Sequence, residues 1–360
     1  MGIGAGIGKK GFMLTLLAIV LSGLFVTIFS ARLTNPPDYK TDVVESRITM
    51  MDYYLESFFD YAASVGQISG YAALQGIISD IGARGDYNYN FTTEFPYCMM
   101  YGNLTPSRAC PGMGSRTFGF YLANLSDDAF RELNVITQYT INNVTVSPTR
   151  DPFYLRVLIN MTVNISDNGI ANKSIANFSA NRLVDVEVPI YGLSDPVYLV
   201  GSGGAYVNYI EWVNYSKPET GWIASDLDTL YNTSSYRNTQ YGVTFFHRIQ
   251  GNFTTAEDAF SFNATNTTAY LYLVPTGIES FIDPNNPAAS GLVSANVSFV
   301  DYLFWNRTAF DCTQTDPYQV MGIRSGVAPD IPDSPVHYQL DRQHVTAFNL
   351  TSNVSMTDNC

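Results

Sequence analysis

Histidine is the first residue type to ask about chemistry, and there are only three: His247, His337 and His344. None lies in an H-E-x-x-H arrangement, in which two imidazoles one helical turn apart hold a zinc ion. His337 and His344 flank Asp341 and could form a metal or acid–base site. Their spacing fits a solvated C-terminal hairpin better, and that is the expectation adopted. Carboxylates are plentiful, with 32 Asp and Glu, so any pair could meet across a sheet as glycoside hydrolysis requires. Abundance singles out none of them. The stretch GSGGAY, residues 201–206, lacks the G-x-S-x-G pattern of a nucleophile elbow. SDLDTLYNTSS, residues 225–235, offers oxygen ligands for calcium but no central glycine to turn a binding loop. GIGAGIGKK, residues 2–10, has no strand before it, and Lys9 is followed by Lys10 where a phosphate loop needs Ser or Thr. It is read as a flexible leader. No catalytic, cofactor-binding or metal residue is expected, and the chain is not expected to be an enzyme.

Two kinds of residue do recur in patterns that carry chemistry. The four cysteines, Cys98, Cys110, Cys312 and Cys360, allow three pairings and fit no zinc spacing. Cys98 and Cys110 bracket a short loop containing Gly and Pro and are expected to pair, leaving Cys312 with Cys360. Loop entropy favours the first bridge by about 3 kcal/mol and the second by about 4. Asn-x-Ser/Thr acceptors occur at Asn90, Asn103, Asn124, Asn143, Asn160, Asn164, Asn172, Asn177, Asn214, Asn232, Asn252, Asn263, Asn266, Asn296, Asn306, Asn349 and Asn353. Composition alone would give about a third as many acceptors. All follow residue 38, so an N-glycosylated, disulfide-permissive surface outside the cell is expected.

The element that would place them outside is the uncharged run Gly11 to Ser30. As a helix it would be about 30 Å long, the thickness of a hydrocarbon core. Its Leu, Ile, Val and Phe residues favour insertion by about 4 to 7 kcal/mol. A cleaved secretory signal has a shorter apolar region and a small-x-small site, whereas Phe29 sits where the first small residue should be. Lys9 and Lys10 precede the run, so the N-terminus is expected in the cytoplasm and the remainder beyond the membrane, as a single-pass protein. After Pro36-Pro37, the residues Val44, Ile48, Met51, Leu55, Phe58, Ala62 and Val65 follow a 4-3 spacing that predicts an amphipathic helix from Asp42 to Ile81, with Asp42 able to cap it. A second row, Ala62, Gly66, Gly70 and Ala73, would permit close packing on the chain's own sheet, contact with another subunit, or a bend. From about Leu133 the period becomes two. FYLRVLINMTVNI, RLVDVEVPI, AYVNYIEWV, AYLYLV, ANVSFVDYLFW and VHYQLD are read as strands, and the sequon-rich region 252–266 as an exposed loop.

The resulting fold class is α+β. An N-terminal membrane-spanning helix in 1–31 continues into a long amphipathic helix in 32–85, packed on an antiparallel, sandwich-like β domain in 86–360. The net charge of −13 disfavours nucleic acid and anionic lipid surfaces as partners. With 25 Tyr and 22 Phe the composition is globular and suits sheets.

KKGF followed by an apolar helix resembles the leader of archaeal type IV pilin-like proteins, whose peptidase cuts after the glycine. That resemblance implies processing at Lys9, Lys10, Gly11 and Phe12, with Phe12 as the mature N-terminus. Leu16 stands where bacterial pilins commonly carry a glutamate, so an uncut signal anchor stays open beside processing. The succession RITMMDYYLESF, ISGYAAL, DPFYLRVLINMTVNISDNGIA, IYGLSDPVYLV, FFHRIQGNF, GIESFID, SFVDYLFW and YQLDRQH resembles a family of uncharacterised archaeal single-pass membrane proteins. The resemblance carries no activity; it implies an envelope location, attachment through the N-terminal helix and possible homo-oligomers or filaments. A structural or adhesive surface protein is therefore expected, with a membrane-tethered ligand-binding or sensory domain as the alternative.

Overall fold

The computed structural model describes residues 39–168, 176–213, 224–239, 242–253, 277–282, 297–305, 321–323, 337–340, 344 and 348. The run Gly11 to Ser30 and the processing residues Lys9, Lys10, Gly11 and Phe12 lie outside them. Among the described residues no helix is long and apolar enough to cross a membrane.

The body is α+β with antiparallel sheets, organised on helix α1, Tyr39–Arg84, a single run of 46 residues. It begins before the expected start, so Asp42 lies inside it rather than at its cap. Two short strands, β1 (Asn103–Thr105) and β2 (Arg108–Ala109), pair antiparallel, and β3 (Val135–Pro148), β4 (Tyr154–Asp167) and β5 (Asn177–Pro189) form an antiparallel meander with β4 in the centre. Alternation settles its faces: Leu155, Val157, Ile159, Met161, Val163 and Ile165 point inward and are buried, while Arg156, Asn160, Thr162 and Asn164 point outward. α1 lies across the inner face, as its stripe requires. Met51, Leu55, Phe58, Ala62 and Val65 are buried there, each of the larger ones contributing about 1.5 to 3 kcal/mol. Val44 and Ile48 belong to the same stripe but remain more than a third exposed, because they precede the part of α1 that the sheet covers. Arg47 ties this outer end down through Asp167, at 2.6 Å.

The small-residue row packs on the chain's own sheet. A Cβ at Gly66 would come within 2.9 Å of Val186 Cγ2, and one at Gly70 within 2.6 Å of Val188 Cγ2, both on β5. Gly70→Ala is therefore expected to destabilise the fold by about 1 to 2 kcal/mol, overpacking outweighing the better helix propensity. Gly82 is the opposite case, since its Cβ would meet Leu199 at an ordinary 3.8 Å. Gly82→Ala should stabilise by up to about 1 kcal/mol. Denaturant melts of the two variants check both signs.

Helices α2 (Phe91–Tyr101) and α3 (Phe118–Asp128) pack on the second half of α1, with a π turn at Ala129–Leu133 leading into β3. Residues 86–133 are thus largely helical, and Leu74, Ile77, Ile78 and Ile81 are buried between these helices and the rest of the core. The bridge between Cys98 of α2 and Cys110 closes the intervening loop, as expected; Cys312 and Cys360 lie outside the described residues. Beyond β5 the order is α4 (Pro196–Gly201), α5 (Ala224–Thr233), β6 (Arg237–Thr239), α6 (Phe245–Gln250), β7 (Gly277–Glu279), β8 (Phe281–Ile282), β9 (Val297–Val300), α7 (Asp301–Trp305), β10 (Met321–Ile323) and β11 (His337–Leu340). β6 pairs with β7, and β8 to β11 form a sheet in the order β10-β11-β9-β8. In that sheet β9 and β11 run parallel, the exception to the antiparallel expectation.

Two readings of local structure need correction. AYVNYIEWV is extended but carries only isolated bridges, Ser194 to Tyr209 and Trp212 to Tyr236, and no ladder. In ANVSFVDYLFW only the first half is strand. Asp301 accepts from the backbone N–H of Tyr302 at 2.6 Å and the chain turns into α7. SDLDTLYNTSS is mostly the helix α5. AYLYLV lies outside the described residues.

Candidate binding cleft

The histidines are placed differently from expectation. His344 is fully buried, its Nε2 2.7 Å from Glu279 Oε2, where a solvated hairpin was expected. A buried carboxylate must be paired, and this one takes Arg237 from 42 residues before it and His344 from 65 residues after it. His337 lies in β11, and Asp341 is outside the described residues. His247 is half-buried on α6. Ser202, in GSGGAY, is the C-cap of α4. Its Oγ donates to Tyr198 O at 2.7 Å and accepts from Tyr206 N at 2.9 Å, so it closes a turn rather than standing up as a nucleophile.

Two buried ionic clusters join the segments after β5. Arg248 on α6 uses all five N–H groups. Nη1 donates to Asp195 Oδ2 at 2.6 Å and Asp301 Oδ2 at 2.9 Å, Nη2 to Ile278 O at 2.6 Å and Asp301 Oδ1 at 3.0 Å, and Nε to Val243 O at 3.4 Å. Tyr236 donates to Asp195 Oδ2 at 2.8 Å, and Ser280 donates to Asp301 Oδ2 through both its N–H and its hydroxyl. Burial works against the Arg248 charge, but the two carboxylates outweigh it and hold its pKa above the ordinary value. Burial pushes the Asp301 carboxyl up, with Arg248 only partly offsetting it, as expected when two carboxylates share one cation. In the second cluster Arg237 on β6 pairs with Glu279, its register partner on β7, and lies 4.1 Å over the Phe348 ring. Burial raises the Glu279 pKa, but Arg237 and His344 outweigh it and bring it to about 2. Glu279 and Asp301 have the shifted pKa of a functional site. They are also sealed: Asp195, Arg248, Glu279 and Asp301 are fully buried, and both Asp carboxylates are saturated with donors, so they act on the fold.

The accessible counterpart is a cleft of about 430 Å³ at one end of the three-stranded sheet. Its floor is Phe153 stacked on Tyr191, centroids 5.1 Å apart and planes within 7°. Trp212 stands 6.1 Å from Phe153 and is 51% exposed. Thr149, Arg150, Asp151, Glu187 and Asn238 supply the polar rim. Each ring is held by its own local device. Phe153 follows a turn in which Asp151 Oδ1 accepts from Phe153 N at 3.0 Å, and its carbonyl accepts from Ile190 N at 2.9 Å. The Tyr191 carbonyl accepts from Tyr71 OH of α1 at 3.0 Å, anchoring it to the helix. The segment carrying Trp212 is stitched to this turn by Gly192 N to Ile210 O and Ile210 N to Leu193 O. Burial, followed by the charges of Asp151 and Tyr154, pushes the Tyr191 hydroxyl up to about 12, so it stays a neutral donor and acceptor. A larger depression of about 590 Å³ beside Asn124, Asp127, Asp128 and Arg131 is the less apt site, because Phe130 is its single aromatic lining residue.

Sequence reasoning did not find the cleft, since its three rings come from three segments that no periodicity links. The acceptor asparagines it did single out are accessible wherever they are described. Asn90, Asn124, Asn143, Asn164, Asn177, Asn232 and Asn252 are exposed, and Asn103 and Asn160 are half-buried. Asn172, Asn214, Asn263, Asn266, Asn296, Asn306, Asn349 and Asn353 lie outside the described residues. Comparison with family models, curated proteins and solved structures finds no match to this chain.

Proposed function

We propose that this chain is an adhesive cell-surface protein, held by the apolar segment Gly11 to Ser30, whose body recognises polyhydroxylated ring compounds in the Phe153–Tyr191–Trp212 cleft. The observation that carries the reading is a half-exposed tryptophan beside a stacked aromatic pair, rimmed by carboxylates, an amide, a hydroxyl and a guanidinium. Aromatic faces take up the apolar C–H face of a sugar ring, and the rim meets its hydroxyls; few convergent polar groups around an apolar floor is the usual composition of a ligand site. The pilin-like leader, the N-terminus on the cytoplasmic side and self-assembly through the N-terminal helix belong to the same proposal. So does a sandwich-like completion of the body by the strands that follow Gly277. In this reading α1 carries the chain from the anchor into the body, and the cleft is offered to neighbouring surfaces.

Saccharide binding tests it. Full-length protein in detergent, titrated with a panel of soluble oligosaccharides, should show a saturable change in tryptophan fluorescence with at least one of them. Trp212→Ala should weaken that binding by tenfold or more, about 1.4 kcal/mol. Equal affinity in the variant, or no response to any saccharide, would contradict the assignment.

A further inference from the structure

The outer face of the β3-β4-β5 sheet gathers four of the acceptor motifs. In a strand, residues two apart share a face, so an Asn-x-Ser/Thr motif places its amide and its hydroxyl side by side. Asn143, Asn160, Asn164 and Asn177 all stand on the side opposite the buried Leu155 to Ile165 row and α1. Asn143 is directly opposite Asn160, across a register shift at Asn142. Asn177 pairs with Ser166 and Ser179 with Asn164, so these two motifs interlock. We infer that this face is a glycan-bearing face, modified at Asn143, Asn164 and Asn177 and bare at Asn160. The inference rests on the outward orientation proposed above and is independent of the cleft.

The chemistry is transfer from a lipid-linked oligosaccharide. The Asn Nδ2 forms a bond to C1 of the first sugar, the C1–O bond to the lipid phosphate breaks, the phosphate leaves with that electron pair, and an amide proton passes to a base. Asn160 is excluded for two reasons. Opposed side chains on neighbouring strands have Cβ atoms about 5 Å apart, too close for two branched sugars. Its side chain is also occupied: Asn142 Nδ2 donates to Asn160 Oδ1 at 3.2 Å and to Thr162 Oγ1 at 3.1 Å, and Asn181 Nδ2 donates to the same hydroxyl at 2.8 Å. Glycans here would cover a broad polar face on which Leu183 is 60% exposed, and would guard the two edge strands against pairing with other chains.

Intact mass and glycopeptide mapping of the full chain from its native membranes test the inference. Thr145→Val, Ser166→Ala and Ser179→Ala each remove one acceptor hydroxyl while keeping the asparagine, and each should lower the mass by one glycan. Thr162→Val should leave the glycan mass unchanged. Unmodified Asn143, Asn164 and Asn177 peptides, in protein that antibodies reach on intact cells, would overturn the glycan face while leaving the outward orientation standing. The same peptides unmodified in protein that antibodies reach only after permeabilisation would overturn both. A glycan at Asn160 would overturn the exclusion.

Discussion

Arg248→Met should destabilise the protein by about 3 to 5 kcal/mol, because it leaves the carboxyls of Asp195 and Asp301 buried without their cation. The arginine joins α6 to the turn that opens α4, to the carbonyl of Ile278 in β7 and to the start of α7, so one side chain closes four segments. The lost hydrogen bonds are the smaller part of the effect; the uncompensated carboxylates are the larger. Adding Asp195→Asn and Asp301→Asn to Arg248→Met should therefore recover part of the loss. Urea titration followed by circular dichroism reads both. A single variant within 1 kcal/mol of wild type would mean that the cluster is not closed in solution.

Acid should weaken the fold through Glu279. Its folded pKa is about 2 against an ordinary 4.5, so the unfolded chain binds the proton more readily. The contribution is complete above about pH 4.5, falls as the pH drops toward 2, and amounts to about 3 kcal/mol. Asp301 works with the opposite sign: its raised pKa means that proton uptake relieves the folded state as the pH falls. The difference between wild type and Glu279→Gln isolates the first effect. It should shrink steadily from pH 5 to pH 2; a difference constant across that window would contradict the pairing with Arg237 and His344.

Much of the framework is written in local patterns. The stripe from Met51 to Val65 needs only a helical period and an apolar sheet to lie on, and the alternation in FYLRVLINMTVNI settles which side of β4 faces it. The small residues Gly66 and Gly70 report close approach, though only their neighbours Val186 and Val188 decide that the partner is the chain's own sheet. Where the readings departed from the fold, long-range partners had intervened. DYLFW has strand-like composition, but Asp301 is claimed by Arg248 and Ser280 and turns the chain. His344 resembled a surface residue until Glu279 was placed beside it. A lone charge inside an apolar run, as in FFHRIQ and SFVDYLFW, was the available signal for buried pairing. The cleft left no such trace: Phe153, Tyr191 and Trp212 meet because β4 and β5 pair in register and residues 190–193 bind the backbone of Ile210.

In the proposed orientation the folded body, with its cleft, faces outward from the cell. An antibody raised against the folded body, applied to intact cells and to permeabilised cells, tests it most directly. Staining of intact cells equal to that of permeabilised ones is the predicted result; staining that appears only after permeabilisation would contradict the account.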